Sequence, residues 1–152
     1  MKHEHRAPWE CVYAKEDKSK CKPGRKPRSD QEYFEILCLC ILQAGLNWSL
    51  IRESWRKYQT GFYRFDIMKL SRAQTKELVK DPNVIKNRKK IQAVIHNARE
   101  FQRIEEDYGS FHDFLRSFDK GHRQLLEVLG ERFKRVGSYT AEYYLHCVGY
   151  WA

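Results

Sequence analysis

The ten residues Arg132-Phe133-Lys134-Arg135-Val136-Gly137-Ser138-Tyr139-Thr140-Ala141 read as the end of one helix, a tight turn with a glycine, and a second helix opening at a serine cap. Such a turn points several backbone N–H groups outward at a helix N-terminus, which suits a phosphate. Lys134 and Arg135 add positive charge beside it. The same residues also fit an ordinary helix–helix corner, because a glycine just past the last turn is a very common way to end a helix.

Upstream the pattern stays helical. Ser29-Asp30-Gln31-Glu32 is a capping box, and Tyr33, Phe34, Ile36, Leu37, Leu39, Cys40 and Leu42 follow as a broad apolar face that ends at Gly45. Asn47 is placed to cap a helix over Trp48 to Tyr58, stopping before Gly61. Asp66 and Ser71 read as caps of two short helices, Ser71 with Gln74 three residues on. Asn83 or Asn87 opens the longest helix, to about Asp107; Ile91, Val94, Ile95, Ala98, Phe101 and Ile104 keep a 3–4 spacing, and the other side carries Lys86, Arg88, Lys89, Lys90, Arg99 and Arg103. Ser110 caps a helix through Phe118, Leu125 to Phe133 forms another, and Ser138 caps the last, Tyr139 to about Tyr150. The expected fold is all-α, with about seven to nine helices.

Residues 1–28 differ from this. They hold three of the four prolines, and Lys18 to Arg28 carries six basic residues and no acid. They read as a basic, mobile arm ahead of a helical domain at 29–152. In the arm, Lys22 to Arg28 has a composition suited to a minor-groove hook, but its Gly and Pro order does not match such a hook, and the better reading is a solvated stretch that adds salt-dependent affinity.

Composition narrows the function. The 152 residues carry 29 Lys and Arg against 20 Asp and Glu, a net charge of +9. An excess of this size reflects an anionic partner or simple solubility. The longest apolar run, Ile36 to Leu42, is too short for a membrane span. The start is charged and leads into no apolar segment, so secretion is not expected. Five cysteines, Cys11, Cys21, Cys38, Cys40 and Cys147, are an odd count without framework spacing, as in a reducing compartment.

The segment Gln43-Ala44-Gly45-Leu46-Asn47-Trp48 places a polar residue, two small ones, a leucine and a tryptophan at a tight corner. Leu46 can enter a base stack, Gln43 can meet the orphaned partner base, and Trp48 offers an aromatic face to an extruded base. On the residues alone, Leu46 and Trp48 read better as core residues of the corner, the usual place of two apolar residues between helices.

Taken in order, several segments resemble the DNA-3-methyladenine glycosylase I family. They are Tyr33 to Leu39, Gln43 to Trp48, Lys90 to Arg99, Phe111-x-x-Phe114-Leu115-x-Ser117-Phe118 and Phe133 to Ser138, with Arg6-x-Pro8-Trp9 ahead of them. Gln-Ala-Gly-Leu-x-Trp and Lys-Ile-Gln-Ala-x-Ile-x-Asn-Ala-Arg are the specific matches. The resemblance implies an all-α helix-hairpin-helix glycosylase-like fold, with the hairpin at about 125–150. It implies a monofunctional enzyme of base-excision repair that flips an alkylated purine such as 3-methyladenine from duplex DNA and hydrolyses its glycosidic bond. Trp48 then stacks on the base, and Trp9 lies near the pocket. Gln43, Gly45 and Leu46 face the DNA. Lys134, Arg135, Val136, Gly137, Ser138 and Tyr139 hold a phosphate.

Four departures qualify what the resemblance implies. Cys40 stands where the family has a base-reading Glu, and a thiol is only a weak donor and acceptor. The family's base-reading Tyr has no clear counterpart, Tyr13 being the nearest stand-in. The family's zinc ligands are not kept: Ala7 replaces one Cys, and His146 and Cys147, adjacent on a helix, diverge by about 100°. His3, His5, Cys11 and Cys21 make no recognisable set with them. The connection from Asp119 to Gln124 is short. The expectations are therefore no metal and no cofactor, duplex DNA as partner, no membrane, and a monomer. The expected location is the cytoplasm or nucleoid of a bacterial cell or the nucleus of a eukaryotic one. The alternative is a non-catalytic DNA-binding or lesion-recognising protein on the same scaffold.

Overall fold

The computed structural model describes residues 26–46, 48–118 and 121–150, with Trp48 and Ser49 described by backbone alone. Trp9, Tyr13, Asn47, the arm up to residue 25 and the cysteines and histidines within it lie outside the described residues, as does the Trp48 side chain. Among the described residues there are helices and no strand. In chain order these are α1 (Asp30–Gln43), α2 (Trp48–Gly61), a short turn of 3-10 type (Tyr63–Phe65), α3 (Ile67–Ser71), α4 (Thr75–Leu78), α5 (Arg88–Tyr108), α6 (Phe111–Arg116), α7 (His122–Arg132) and α8 (Ser138–Cys147). None of them is long and apolar enough to cross a membrane.

Helix α1 is the central element. Ser29 Oγ accepts from Glu32 N at 3.2 Å, while the Glu32 carboxylate accepts from Arg28 N at 3.3 Å, one residue before the cap. Pro27 is buried, so the last residues before the helix lie against the domain. Tyr33, Phe34 and every residue from Ile36 to Gln43 are buried. A helix that is apolar nearly all round must be surrounded. Helices α2, α5, α6 and α8 surround it. Phe34 meets Phe101 of α5 edge-on at 5.2 Å, Phe101 stacks on Phe111 at 4.3 Å, and the Tyr144 hydroxyl of α8 donates to Tyr33 O at 2.9 Å.

Several boundaries differ from the sequence expectation. Helix α2 continues through Gly61, whose glycine answers packing rather than termination: a Cβ there would lie 2.7 Å from Asn83 O. Ser71 ends α3 instead of opening a helix; its hydroxyl donates to Met68 O, and Gln74 takes the N-cap of α4 without a side-chain bond. Asn87, not Asn83, caps α5, accepting from Lys90 N at 3.1 Å. Helix α6 stops at Arg116, and α7 begins at His122. Ser138 is the first residue of α8, and Gly137 is its N-cap. Much of the basic side expected of α5 is engaged with carbonyls or carboxylates, including Lys86, which lies just ahead of that helix. Lys86 Nζ donates to Val79 O and Asp81 O, Arg99 to Ser71 O, and Arg103 to Glu100.

Between α2 and α3 the backbone turns left-handed at three successive non-glycine residues, Tyr63, Arg64 and Phe65, with φ of 57°, 56° and 56°. This conformation costs about 1–2 kcal/mol per residue. Gln31 of α1 holds the turn. Its amide donates to Phe65 O and to Arg64 O, and its Oε1 accepts from Ile67 N. Phe65 is buried between Trp55 at 4.9 Å and Phe62 at 5.3 Å.

One carboxyl pair joins α1 to α5. Asp30 accepts from Phe111 N at 3.0 Å. Burial pushes Glu105 up from its ordinary 4.5 to about 7, helped by the hydrogen bond its protonated carboxyl donates to Asp30 and by the Asp30 charge. The folded chain thus keeps a proton on Glu105 that the unfolded chain has released. This contribution to stability is complete below about pH 4.5 and lost as pH rises through about 7. Denaturation midpoints across that window are expected to fall with rising pH, and Glu105→Gln is expected to flatten the decline.

Candidate functional site

Two backbone segments come together at one end of the bundle. The first is the corner after α1. Gly45 takes φ +76°, which a side chain would make strained, and Leu46 N returns to Gln43 O at 2.9 Å. The turn leaves Leu46 43% exposed, with Leu50 of α2 exposed close by in sequence. Beneath the corner lies Lys90. Although expected on the solvated face of α5, it is only 2% exposed, and its Nζ donates to Leu42 O at 2.7 Å and Ala44 O at 2.9 Å. These are carbonyls that the end of α1 cannot pair for itself. Burial lowers the Lys90 pKa, and the nearby charge of Arg135 lowers it further.

The second segment is the hairpin between α7 and α8. Asn97 of α5, fully buried, accepts from Lys134 N at 2.9 Å and donates to Lys134 O at 3.2 Å. On the same helix, His96 Nε2 lies 3.2 Å from Arg132 O and Glu100 accepts from Arg132 Nε and Nη2 at 3.1 and 3.0 Å. Arg135 adopts φ 62°, Val136 is buried, and Gly137 leads into α8. Gly137 has an ordinary φ of −76°, and a Cβ added there would meet no atom within 4 Å. Nothing within the chain's own packing requires a glycine at this point.

A cleft of about 310 Å³ separates corner and hairpin. Cys40, Gln43, Ala44, Gly45 and Leu46 line one side; Tyr139, Thr140 and Tyr143 line the other. The structure thus brings together Cys40, Gln43, Gly45, Leu46 and Tyr139, which the sequence singled out. Lys134, Arg135, Val136, Gly137 and Ser138 form the adjoining hairpin. Ala44, Thr140 and Tyr143 were not singled out, nor were Lys90 and Asn97 as the residues that hold the site. The i, i+4 spacing of Tyr139 and Tyr143 was the available signal. The two rings lie parallel, 6° apart in orientation, with centroids at 6.3 Å. Tyr139 is 59% exposed and Tyr143 only 4%.

Gln43 is 5% exposed, and its Oε1 is buried without a hydrogen-bond partner. A buried acceptor left so costs about 1–3 kcal/mol, which in a native structure calls for an explanation. No carboxylate lines the cleft among the described residues. Glu35 faces a separate surface cleft with Arg56 and Arg64, where Gln59 Nε2 donates to it at 2.7 Å. Cys40 is buried at 3% exposure, and burial raises the pKa of its neighbour Cys38 well above the usual thiol value.

The N-terminal positions at which the family resemblance implies zinc ligands lie outside the described residues. Cys147 is fully buried in the core, and no cluster of three His, Cys, Asp or Glu residues capable of holding a metal occurs among them.

Comparison with known proteins agrees with this geometry. A family model of methyladenine glycosylases matches residues 20–136. The DNA-3-methyladenine glycosylase 1 of Escherichia coli (strain K12) is 38% identical over 106 residues, 67% of this chain and 57% of that protein. The DNA-3-methyladenine glycosylase of Haemophilus influenzae is 31% identical over 97 residues, 61% of this chain and 52% of that protein. Among solved structures, the 3-methyladenine DNA glycosylase I of Staphylococcus aureus, described for its recognition of 3-methyladenine, superposes with a TM-score of 0.74 at 26% identity, covering 94% of this chain and 91% of that one. The chain belongs to the methyladenine glycosylase family. It spans little more than half the length of the curated relatives it matches.

Lys90→Met keeps the length of the side chain but strands the carbonyls of Leu42 and Ala44. It is expected to lower unfolding free energy by about 2–4 kcal/mol in urea denaturation. A loss within experimental error would show that the corner holds itself.

Proposed function

We propose that this chain binds duplex DNA as a monomer, turns out an alkylated purine such as 3-methyladenine and removes it hydrolytically in base-excision repair, without a metal or other cofactor. It would work where the DNA is, in the cytoplasm or nucleoid of a bacterial cell or the nucleus of a eukaryotic one. The observation that carries this reading is the cleft shared by the Gln43–Leu46 corner and the hairpin, on the scaffold of the family. In this reading the hairpin grips a phosphate through the first amides of α8, with Lys134 and Arg135 beside it. Leu46 fills the gap left in the stack, and Trp48 stacks on the extruded base. A 3-methylated adenine is cationic while attached to deoxyribose, so it leaves as a neutral base when water attacks the sugar carbon. No general acid is needed for that departure, and the aromatic face adds a cation–π contribution of about 0.5–2 kcal/mol.

A second reading, a DNA-binding or lesion-recognising protein without excision, is favoured by one observation: Cys40 and the absence of any described carboxylate in the cleft. Release of free base from heavily methylated duplex DNA, measured for the full chain at low salt, separates the two. The first reading expects release, unaffected by a chelator, and about tenfold or greater loss in Trp48→Ala from the lost stacking. Tight, salt-dependent binding without release, with activity gained in Cys40→Glu, would establish the second.

Gly137→Ala tests the phosphate grip separately. The added methyl meets nothing in the chain. Thermal stability is therefore expected to hold or rise slightly, while affinity for duplex DNA falls about tenfold through lost charge-assisted amide contacts. Unchanged affinity would remove the hairpin from the DNA surface.

A further inference from the structure

We infer that the cleft at the far end of α2 is a separate phosphate site, in which Arg56 and Arg64 hold a phosphodiester of the DNA flanking the extruded base. It shares no lining residue with the cleft between corner and hairpin. Its distance from the extruded base rests on the proposed role of the corner, whereas its chemistry stands on its own residues.

The cleft has a volume of about 490 Å³ and is lined by Glu35 of α1, by Arg56, Gln59 and Thr60 of α2, and by Arg64 of the left-handed turn. An arginine beside a carboxylate ordinarily pairs with it. Here Glu35 accepts from Gln59 Nε2 at 2.7 Å, and among the described residues neither guanidinium has a hydrogen-bond or ion-pair partner. Arg99, Arg103 and Arg132, by contrast, are engaged by carbonyls or carboxylates. Two unpaired cations on one concave surface repel each other until an anion enters between them.

The backbone of Arg64 points the same way. Its φ of 56° is one that glycine takes without strain. Phe65 in the same turn is buried between aromatic rings, so packing offsets its strain. Arg64 is exposed and has no such contact. Strain of this kind collects where a side chain is held ready for a ligand.

Charge and position select that ligand. Arg56 and Arg64 against Glu35 leave the lining one positive charge in excess, which matches a phosphodiester better than a doubly charged phosphate. Each guanidinium fork fits phosphate oxygens bidentately, and the second N–H of the Gln59 amide remains available. Helix α2 starts at the corner, and exposed Arg52 lies one turn nearer the corner on the same side as Arg56. From residue 48 to residue 56 the helix rises about 12 Å. A DNA strand advances about 3.4 Å per nucleotide, which puts the bound phosphate about three to four nucleotides from a base extruded at the start of α2.

The test is binding of the full chain to a labelled duplex of about 20 base pairs with a central abasic analogue, between about 50 and 200 mM salt. In the unaltered chain, a single neutral methylphosphonate about three to four nucleotides from the abasic position is expected to weaken binding about tenfold, the scale of one charge-assisted contact. Arg56→Gln/Arg64→Gly is expected to melt at or above wild type, because glycine relieves position 64. It is expected to bind the unmodified duplex about tenfold more weakly, to lower the slope of log affinity against log salt by about 1, and to be indifferent to that methylphosphonate. Lys76→Gln/Lys80→Gln removes the same charge from exposed positions elsewhere and is expected to behave as wild type. A double arginine variant that matches this control, or a wild type indifferent to every placement at that distance, overturns the inference. Inorganic phosphate, titrated at constant ionic strength, distinguishes the source: binding that the arginine variant loses, with an unchanged DNA slope, overturns DNA as the ligand in favour of a free phosphate. A lowered slope in a chain that does not prefer the abasic duplex keeps the phosphate site and removes the proposed role of the corner.

Discussion

The site depends on one helix that reaches in two directions with buried polar side chains. Lys90 and Asn97 lie two turns apart on α5, one under the corner after α1 and the other under the hairpin before α8. Both segments are irregular backbone, whose polar groups must be paired once water is excluded. Because the same rigid helix supplies both sets of partners, the distance across the cleft is fixed by the rise of α5. Loop sequence does not set it. Helices α1 and α8, which present the lining residues, are thereby held at a common spacing, and the Tyr144 to Tyr33 bond closes the far side of the arrangement.

The helices were legible because their caps and spacings are local signals. Ser29, Asp66, Asn87 and Ser110 each accept a bond from the third residue of the helix they open. Ser71 and Ser138 carry the same residue type and do not, since in both cases the chain is already helical when it reaches them. Propensity alone does not distinguish a serine before a helix from one inside its last or first turn. The burial of Lys90 was open to a stricter count. Lys90, Val94, Asn97, Phe101 and Ile104 follow a 3–4 spacing and are all buried on α5. A lysine and an asparagine in an apolar stripe indicate carbonyls waiting on the other side. What sequence cannot supply is where those carbonyls come from, because they belong to residues 48 and 37 positions away.

The cleft combines a backbone frame with a wall of distinct chemistry. The glycine corner, the leucine it presents, the α5 anchors and the hairpin make up the frame. The wall of the cleft has a thiol at position 40, an amide at position 43 and phenols at 139 and 143, a set with hydrogen-bonding and stacking capacity but no negative charge of its own among the described lining. Frame and wall are separable because the anchors are polar contacts to backbone. The backbone keeps its position whichever side chains it displays.

The left-handed turn at Tyr63 to Phe65 has a kinetic consequence. A conformation unfavourable to each of its three residues does not form by extension of α2. It needs Gln31 already in a folded α1 and a pocket already made by Trp55 and Phe62. Its contacts therefore belong to the last stage of folding, and weakening them would speed unfolding while leaving the folding rate nearly unchanged. The turn is held from the first turn of α1, at the end opposite the one whose carbonyls Lys90 pairs.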